Sequence, residues 1–253
     1  MLALELAILS DQGGRSYNED ACGHWQSERR LCCVLADGAG GHGGGDVASR
    51  LAVQDLLTTF VDHPTADGAA LAELVRQTNR HLLASRQPGP TADMHTTVVC
   101  LVIDATEHAA HWAHAGDSRL YWWRDGQLQR RTRDHSLVQS LVDARLLDEA
   151  DMTRHPQRNE LLSALGMSAA DLLVSAESAP ADVEPGDAFL LCTDGYWEYL
   201  DDAFIASALT AADTPHAWLA SLAAQVERAT QTKPGHDNFS ALAVWVSAAP
   251  AEQ

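Results

Sequence analysis

Basic residues are scarce in this chain. Seventeen Lys and Arg face 35 Asp and Glu, a net charge of −18 at neutral pH, which speaks against binding to nucleic acid or to an anionic membrane surface. Long apolar runs are missing too. No stretch approaches the roughly 20 residues that cross a bilayer, and the first ten residues contain Glu5 and no basic start. Neither a membrane span nor a signal peptide is expected, and the protein is expected in the cytoplasm. A disulfide framework is also lacking: the five cysteines, at 22, 32, 33, 100 and 192, are odd in number, unevenly spaced and set mostly in apolar runs, the pattern of reduced core cysteine. No Cys-x-x-Cys or matching His pair suggests zinc. No internal repeat, low-complexity tract or linker divides the 253 residues. That length buries a good core, so the expectation is one domain over 1–247 with a tail at 248–253.

What is present centres on Leu31 to Ser49, LCCVLADGAGGHGGGDVAS. Leu31 to Ala36 reads as a short buried strand and Gly44 onward carries apolar residues at helical spacing, so Asp37 stands where a strand stops and the backbone turns. The glycine-rich run from Gly38 to Gly45 lets the backbone approach a charged group closely. Around it, strands are expected at Leu2–Leu9, Ala21–Trp25, Thr96–Ile103, Ala109–Ala115, Leu120–Trp123, Leu128–Thr132, Leu172–Ala176, Ala188–Cys192 and Phe239–Val246. Val47, Leu51, Leu56 and Phe60 trace one helix face, and Leu71, Leu74, Val75, Thr78 and Leu82 trace another. Ser136 to Leu165 reads as helical but broken, and helices are expected again at Asp201–Leu209 and Pro215–Thr230. Strands in closely spaced runs between helical regions indicate an α+β domain with antiparallel sheets.

Acidic residues recur at the ends of the apolar runs: Glu19-Asp20, Asp37-Gly38, Asp117-Ser118, Asp194-Gly195 and Asp237-Asn238. Each pair alone is an ordinary turn signal. Together, if the strand edges lie at one end of a sheet pair, the carboxylates converge and repel unless a cation sits among them. Oxygen donors without His or Cys favour magnesium or manganese, and two such ions would activate a water and clamp a phosphoryl oxygen. Arg15, just ahead of Glu19-Asp20, offers a planar fork for two phosphate oxygens.

With those residues in view, the chain resembles the metal-dependent PPM (PP2C-type) Ser/Thr protein phosphatases, in their compact bacterial form. The likeness rests on SDQGGRSYNED (10–20), ADGAGGHGGGDVAS (36–49), TTV (96–98), AGDSRLY (115–121), TRDHS (132–136), HPQRNELLSALG (155–166), CTDGYWE (192–198) and HDNFSALAV (236–244), in that order. The resemblance implies an αββα sandwich of two antiparallel sheets flanked by helical layers, holding two Mn2+ or Mg2+ and a third, weaker metal. It implies that Asp20, Asp37, Asp194 and Asp237 bind metal, with the Gly38 carbonyl, with Glu19 acting through the metal's water shell, and with Asp117 at the third ion. Arg15 would take the phosphate, Asn238 would orient a metal-bound group, and Ser118 and Arg119 would support the Asp117 turn. The implied reaction is hydrolysis of phosphoserine and phosphothreonine on proteins by direct attack of a metal-bridging hydroxide, opposing a bacterial Ser/Thr kinase, with the enzyme a monomer. Two departures stand out: some members carry His directly after the Asp-Gly pair, where this chain has Ala39, and the loop from Asp11 to Arg15 is one residue shorter than usual. His42, in the Gly-Gly-His pattern, is assigned to loop support, leaving a metal-bound water as another source of the leaving-group proton. Asp134 to Arg158 matches a mobile flap of the family.

Three rivals compete. Gly38-Ala39-Gly40-Gly41-His42-Gly43 fits a dinucleotide-binding fingerprint, yet no second parallel strand ending in an acidic residue follows. A phosphatase-like binding module that has lost activity would have lost metal carboxylates, and all are present here. Cys192 as a nucleophile lacks a Cys-x5-Arg phosphate loop and lies in a buried run.

Overall fold

The computed structural model describes residues 2–39 and 43–249. His42 and all but the first two residues of the expected tail lie outside them. In chain order the described elements are β1 (Leu2–Asp11), β2 (Asp20–Gln26), β3 (Arg30–Ala39), α1 (Gly45–Asp62), α2 (Gly68–Ser85), β4 (His95–Thr96), β5 (Val98–Asp104), β6 (Ala109–Ala115), β7 (Arg119–Arg124), β8 (Gln127–Arg131), α3 (Leu137–Asp143), a 3-10 helix (Glu149–Arg154), β9 (Ser175–Ala176), β10 (Ala181–Asp182), β11 (Asp187–Cys192), α4 (Asp194–Trp197), α5 (Asp202–Ala211), α6 (Pro215–Thr230) and β12 (Phe239–Ala248).

Two antiparallel sheets face each other, one ordered β1-β12-β11-β7-β8 and the other β10-β6-β5-β3-β2, with β4 added to β3 and β9 to β6. The alternation of side chains along a strand explains why the central runs are apolar without interruption. Along β3, Leu31, Cys33 and Leu35 point between the sheets, whereas Cys32, Val34 and Ala36 meet Ala48, Ala52, Leu56 and Phe60 of α1 and the apolar side of α2. In the other sheet, Phe189 and Leu191 of β11 face inward, and Leu190 and Cys192 pack on Trp218, Leu222 and Val226 of α6. The result is the αββα sandwich, and every cysteine is unpaired, with all but Cys22 buried.

Some local expectations fail for physical reasons. The buried face of α1 is Ala48, Ser49, Ala52, Val53, Leu56 and Phe60; Leu56 and Phe60 are as expected and Leu51 packs partly buried against the core, but Val47 is exposed. Small residues let this helix lie close on β3, and a search for large apolar residues passes over them. Between Ser136 and Leu165 only α3 and the 3-10 helix are helical. Residues 155–165 return in turns and extended backbone, bridging Ser136 to Leu161 and Thr96 to Leu165. The strand expected at Leu172–Ala176 shrinks to Ser175–Ala176, and β10 was not foreseen.

Candidate metal centre

The acidic turns meet at one end of the sandwich. Asp20 at the start of β2 stands directly across from Asp37 near the end of β3. Asp194 opens α4 after β11, Asp237 precedes β12, and Asp117 sits in the crossover from β6 to β7. A cleft of about 230 Å3 there is lined by Arg15, Glu19, Asp37, Gly38, Ala39, Thr97, Asp117, Asn159, Leu161, Asp194 and Asp237, with Asp20 buried next to it. Two strand ends and a helix start must pack tightly to do this. A Cβ on Gly38 would lie 2.1 Å from the Gly45 carbonyl oxygen, and one on Gly45 would lie 2.3 Å from Glu19 Oε1, so the glycines keep the first turn of α1 against Glu19 and the Asp37 turn.

Electrostatics at this end are those of uncompensated like charge. Burial, then Asp20, Asp194 and the other neighbouring carboxylates, raises the Asp37 carboxyl well above its ordinary value. Burial followed by Asp117 and Asp237 does the same at Asp194. Asp20 is pushed up to about 7, chiefly by burial and against the hydrogen bonds of Ser240 and Thr193. Asp117 also reaches about 7, through burial and Asp134, opposed by Arg119. Glu19 is raised by burial and by Asp46. Among the described residues, Glu19 Oε1, Asp20 Oδ1 and Asp194 Oδ1 are buried without a hydrogen-bond partner, a costly arrangement for carboxylates unless something positive meets them. Among the described residues no three acidic, His or Cys side chains already close on a single point; the carboxylates ring the cleft instead. An oxygen-only donor set of this kind fits magnesium or manganese.

A wider cleft of about 460 Å3 runs between residues 149–153 and 197–202, but its carboxylates have protein partners. Glu149 and Asp202 pair with Arg131, Glu198 with Arg158, and Asp201 caps α5. It lacks the unmet negative charge that marks the smaller one.

Arg15 reaches the site despite its short loop: its Nη2 donates to Asp237 Oδ2 at 2.8 Å, with both side chains about half exposed. The loop is held from below by Asn238, whose Oδ1 accepts the Glu19 N–H at 2.9 Å and whose Nδ2 donates to the Gln12 and Tyr17 carbonyls. Its amide thus engages backbone on both sides of the loop carrying Arg15 and shapes that loop. Ser118 shares a 2.7 Å hydrogen bond with Thr97. Arg119 forms a two-pronged pair with Asp134 and stacks 3.5 Å over the Trp197 ring, while the Trp197 indole N–H holds the Asp117 carbonyl at 2.9 Å. Arg119 thus reaches the Asp117 turn through the Trp197 ring as well as through its charge. Ala39 is exposed at the cleft, and none of the described residues lining it is a histidine.

Sequence reasoning gave no part in the site to Asn159 and Leu161, although HPQRNELLSALG was among the motifs; the extended return of residues 155–165 delivers them to the cleft, where a broken helix was expected. It also gave no part to Thr97, although TTV was among the motifs.

Comparison with known proteins agrees with this geometry. The family model described as protein phosphatase 2C matches residues 11–237. The serine/threonine protein phosphatase PstP of Mycobacterium tuberculosis is 35% identical over 211 residues, which cover 82% of this chain and 39% of that protein; the match thus spans well under half of that relative. The structure of the S. agalactiae serine/threonine phosphatase superposes with a TM-score of 0.83 at 28% identity, covering 96% of this chain and 99% of that one. The catalytic domain of PstP in complex with two manganese ions superposes with a TM-score of 0.79 at 30% identity, covering 98% of this chain and 100% of that one.

Proposed function

This chain belongs to the protein phosphatase 2C family, and from that premise we propose that it is a metal-dependent phosphatase that removes phosphate from serine and threonine of proteins. The observation that carries the reading is the set of buried carboxylate oxygens on Glu19, Asp20 and Asp194 with no partner among the described residues, gathered around an Asp20–Asp37 cross-strand pair of like charge. Asp20, Asp37, Asp194 and Asp237, with the Gly38 carbonyl, would hold two divalent ions, manganese or magnesium, and Asp117 would hold a third, weaker one. Bound there, such ions supply an acidified water as nucleophile and neutralise phosphoryl oxygens. The protein's own groups do the rest. Arg15 presents its guanidinium at the mouth of the cleft, where a phosphate would compete with Asp237 for its N–H groups. Asn238 fixes the loop behind it. Leu161 and Asn159 also line the cleft, where the residue bearing the phosphate would lie against them.

The reading takes residues 1–247 as one catalytic domain acting as a monomer in the cytoplasm, with phosphoproteins as substrates and a Ser/Thr kinase as its opponent. The absence of a helix long and apolar enough to cross a membrane, among the described residues, is compatible with that. The test is hydrolysis of an aryl phosphate and of a phosphothreonine peptide with manganese, with and without a chelator. Turnover of both that stops with chelator supports the reading; turnover indifferent to chelator defeats it.

A further inference from the structure

The Asp117–Ser118 turn is where the chain crosses between the sheets at the site end, since β6 ends at Ala115 in one sheet and β7 begins at Arg119 in the other. Its two residues are held from different sides, Ser118 by Thr97 between β4 and β5 and Asp117 by Trp197 of α4. On one side the Thr97 hydroxyl lies 2.7 Å from that of Ser118 and accepts the Asp37 backbone N–H at 3.0 Å, while the Thr97 N–H donates to the Asp37 carbonyl at 2.8 Å. On the other side the Trp197 indole N–H donates to the Asp117 carbonyl at 2.9 Å. Thr97, Ser118 and Trp197 are all buried. Asp37 belongs to β3, and Asp194 opens the same short helix that bears Trp197, so this turn is tied to the supports of carboxylates on both sheets.

Resting on the function proposed above, we infer that this turn is a clasp, in which Thr97 and Trp197 are positioning residues that fix the spacing between Asp37 and Asp194 and so set the affinity for divalent ions. Between the sheets the packing is apolar, and apolar contact has no direction of its own. It does not hold oxygen donors to within the roughly 0.2 Å that ion coordination demands. The bonds at the crossover are directional. The bond at Thr97 requires a hydroxyl and not merely its volume: its oxygen accepts the Asp37 N–H and shares a hydrogen bond with the Ser118 hydroxyl, in which either oxygen can donate. Trp197 has a single N–H, and it is used on Asp117.

The test compares full-length wild type with Thr97→Val, Thr97→Ser, Trp197→Phe and the Thr97→Val/Trp197→Phe pair, reading Mn2+ binding by calorimetry alongside the Mn2+ dependence of aryl-phosphate turnover. Thr97→Val and Trp197→Phe are each expected to weaken Mn2+ binding by about tenfold or more, with lost turnover largely recovered by added Mn2+, and Thr97→Ser is expected to restore wild-type binding. In the paired variant the two losses should combine to less than their product, because each releases the same turn. Melting without metal identifies any variant that fails to fold, and Trp197→Phe and Thr97→Ser then carry the comparison. Unchanged Mn2+ binding in Thr97→Val and Trp197→Phe, or a Thr97→Ser protein as weak as Thr97→Val, overturns the clasp while leaving the phosphatase reading intact. A wild type that binds no Mn2+ overturns both.

Discussion

The two ends of this sandwich treat charge in opposite ways. At the far end, Arg30 and Asp104 stand across from each other on β3 and β5 and are joined at 2.8 Å. Arg124 and Asp187 do the same on β7 and β11, at 2.7 and 2.9 Å. At the site end the corresponding cross-strand neighbours are Asp20 and Asp37, two carboxylates. β3 thus takes part in a matched pair at one terminus and a mismatched one at the other. Matched pairs within the chain complete the sheet by themselves. Mismatched ones store a requirement for positive charge from outside, and that requirement is what makes one end a site.

The comparison breaks most sharply at Asp37. Asp37→Asn should lower manganese-dependent hydrolysis by on the order of a thousandfold, since the ions' contribution to the transition state is several kcal/mol, yet it should raise the melting temperature in chelator by relieving repulsion. Asp194→Asn should behave alike. Full activity in both variants would end the two-metal assignment. At the far end the signs reverse: Asp104→Asn should cost about 2 kcal/mol of stability by weakening a buried, charge-assisted bond, read by urea unfolding, while activity per folded molecule is retained.

A smaller effect is expected at Arg15, whose pair with Asp237 is half exposed and adds little to folding. Arg15→Ala should weaken inhibition by inorganic phosphate about tenfold, the loss of one charged contact, with no change in melting; unchanged inhibition would remove it from the site.

The last prediction is the pH dependence. Asp20 and Asp117 have folded values near 7 against an ordinary 3.8, so between those limits the folded chain binds more protons than the unfolded one and stability falls as pH rises. Asp104 works in the other direction: although burial raises it, Arg30 and two backbone N–H groups hold it below 3.8, so its contribution is present above that value and lost in acid. With chelator, melting should decline from about pH 4 to 7, and Mn2+ should remove that decline.

How much of this was legible beforehand follows the same division. Asp20, Asp37, Asp117, Asp194 and Asp237 could be read because each closes or opens an apolar run, and the strand period locates such ends well. The buried strands were legible for the same reason, and Leu71 to Leu82 of α2 because large apolar residues mark its face. Leu56 and Phe60 of α1 were legible too, but Ala48, Ser49 and Ala52 on the same face escaped because they carry little apolar signal while packing closely. Asn159 and Leu161 escaped because their segment is shaped by two isolated bridges and has no period. The part Asn238 plays in holding the Arg15 loop depends on backbone groups more than 200 positions away, which no local pattern encodes.

The central claim is that the carboxylates at the site end are completed by divalent cations. Its most direct test is the melting temperature of wild type and of Asp37→Asn, each with Mn2+ and with chelator. The account predicts a clear rise with Mn2+ in the wild type that is absent in Asp37→Asn, whose chelated form already melts above chelated wild type. Equal Mn2+ shifts in the two proteins, or no shift in the wild type, would contradict it.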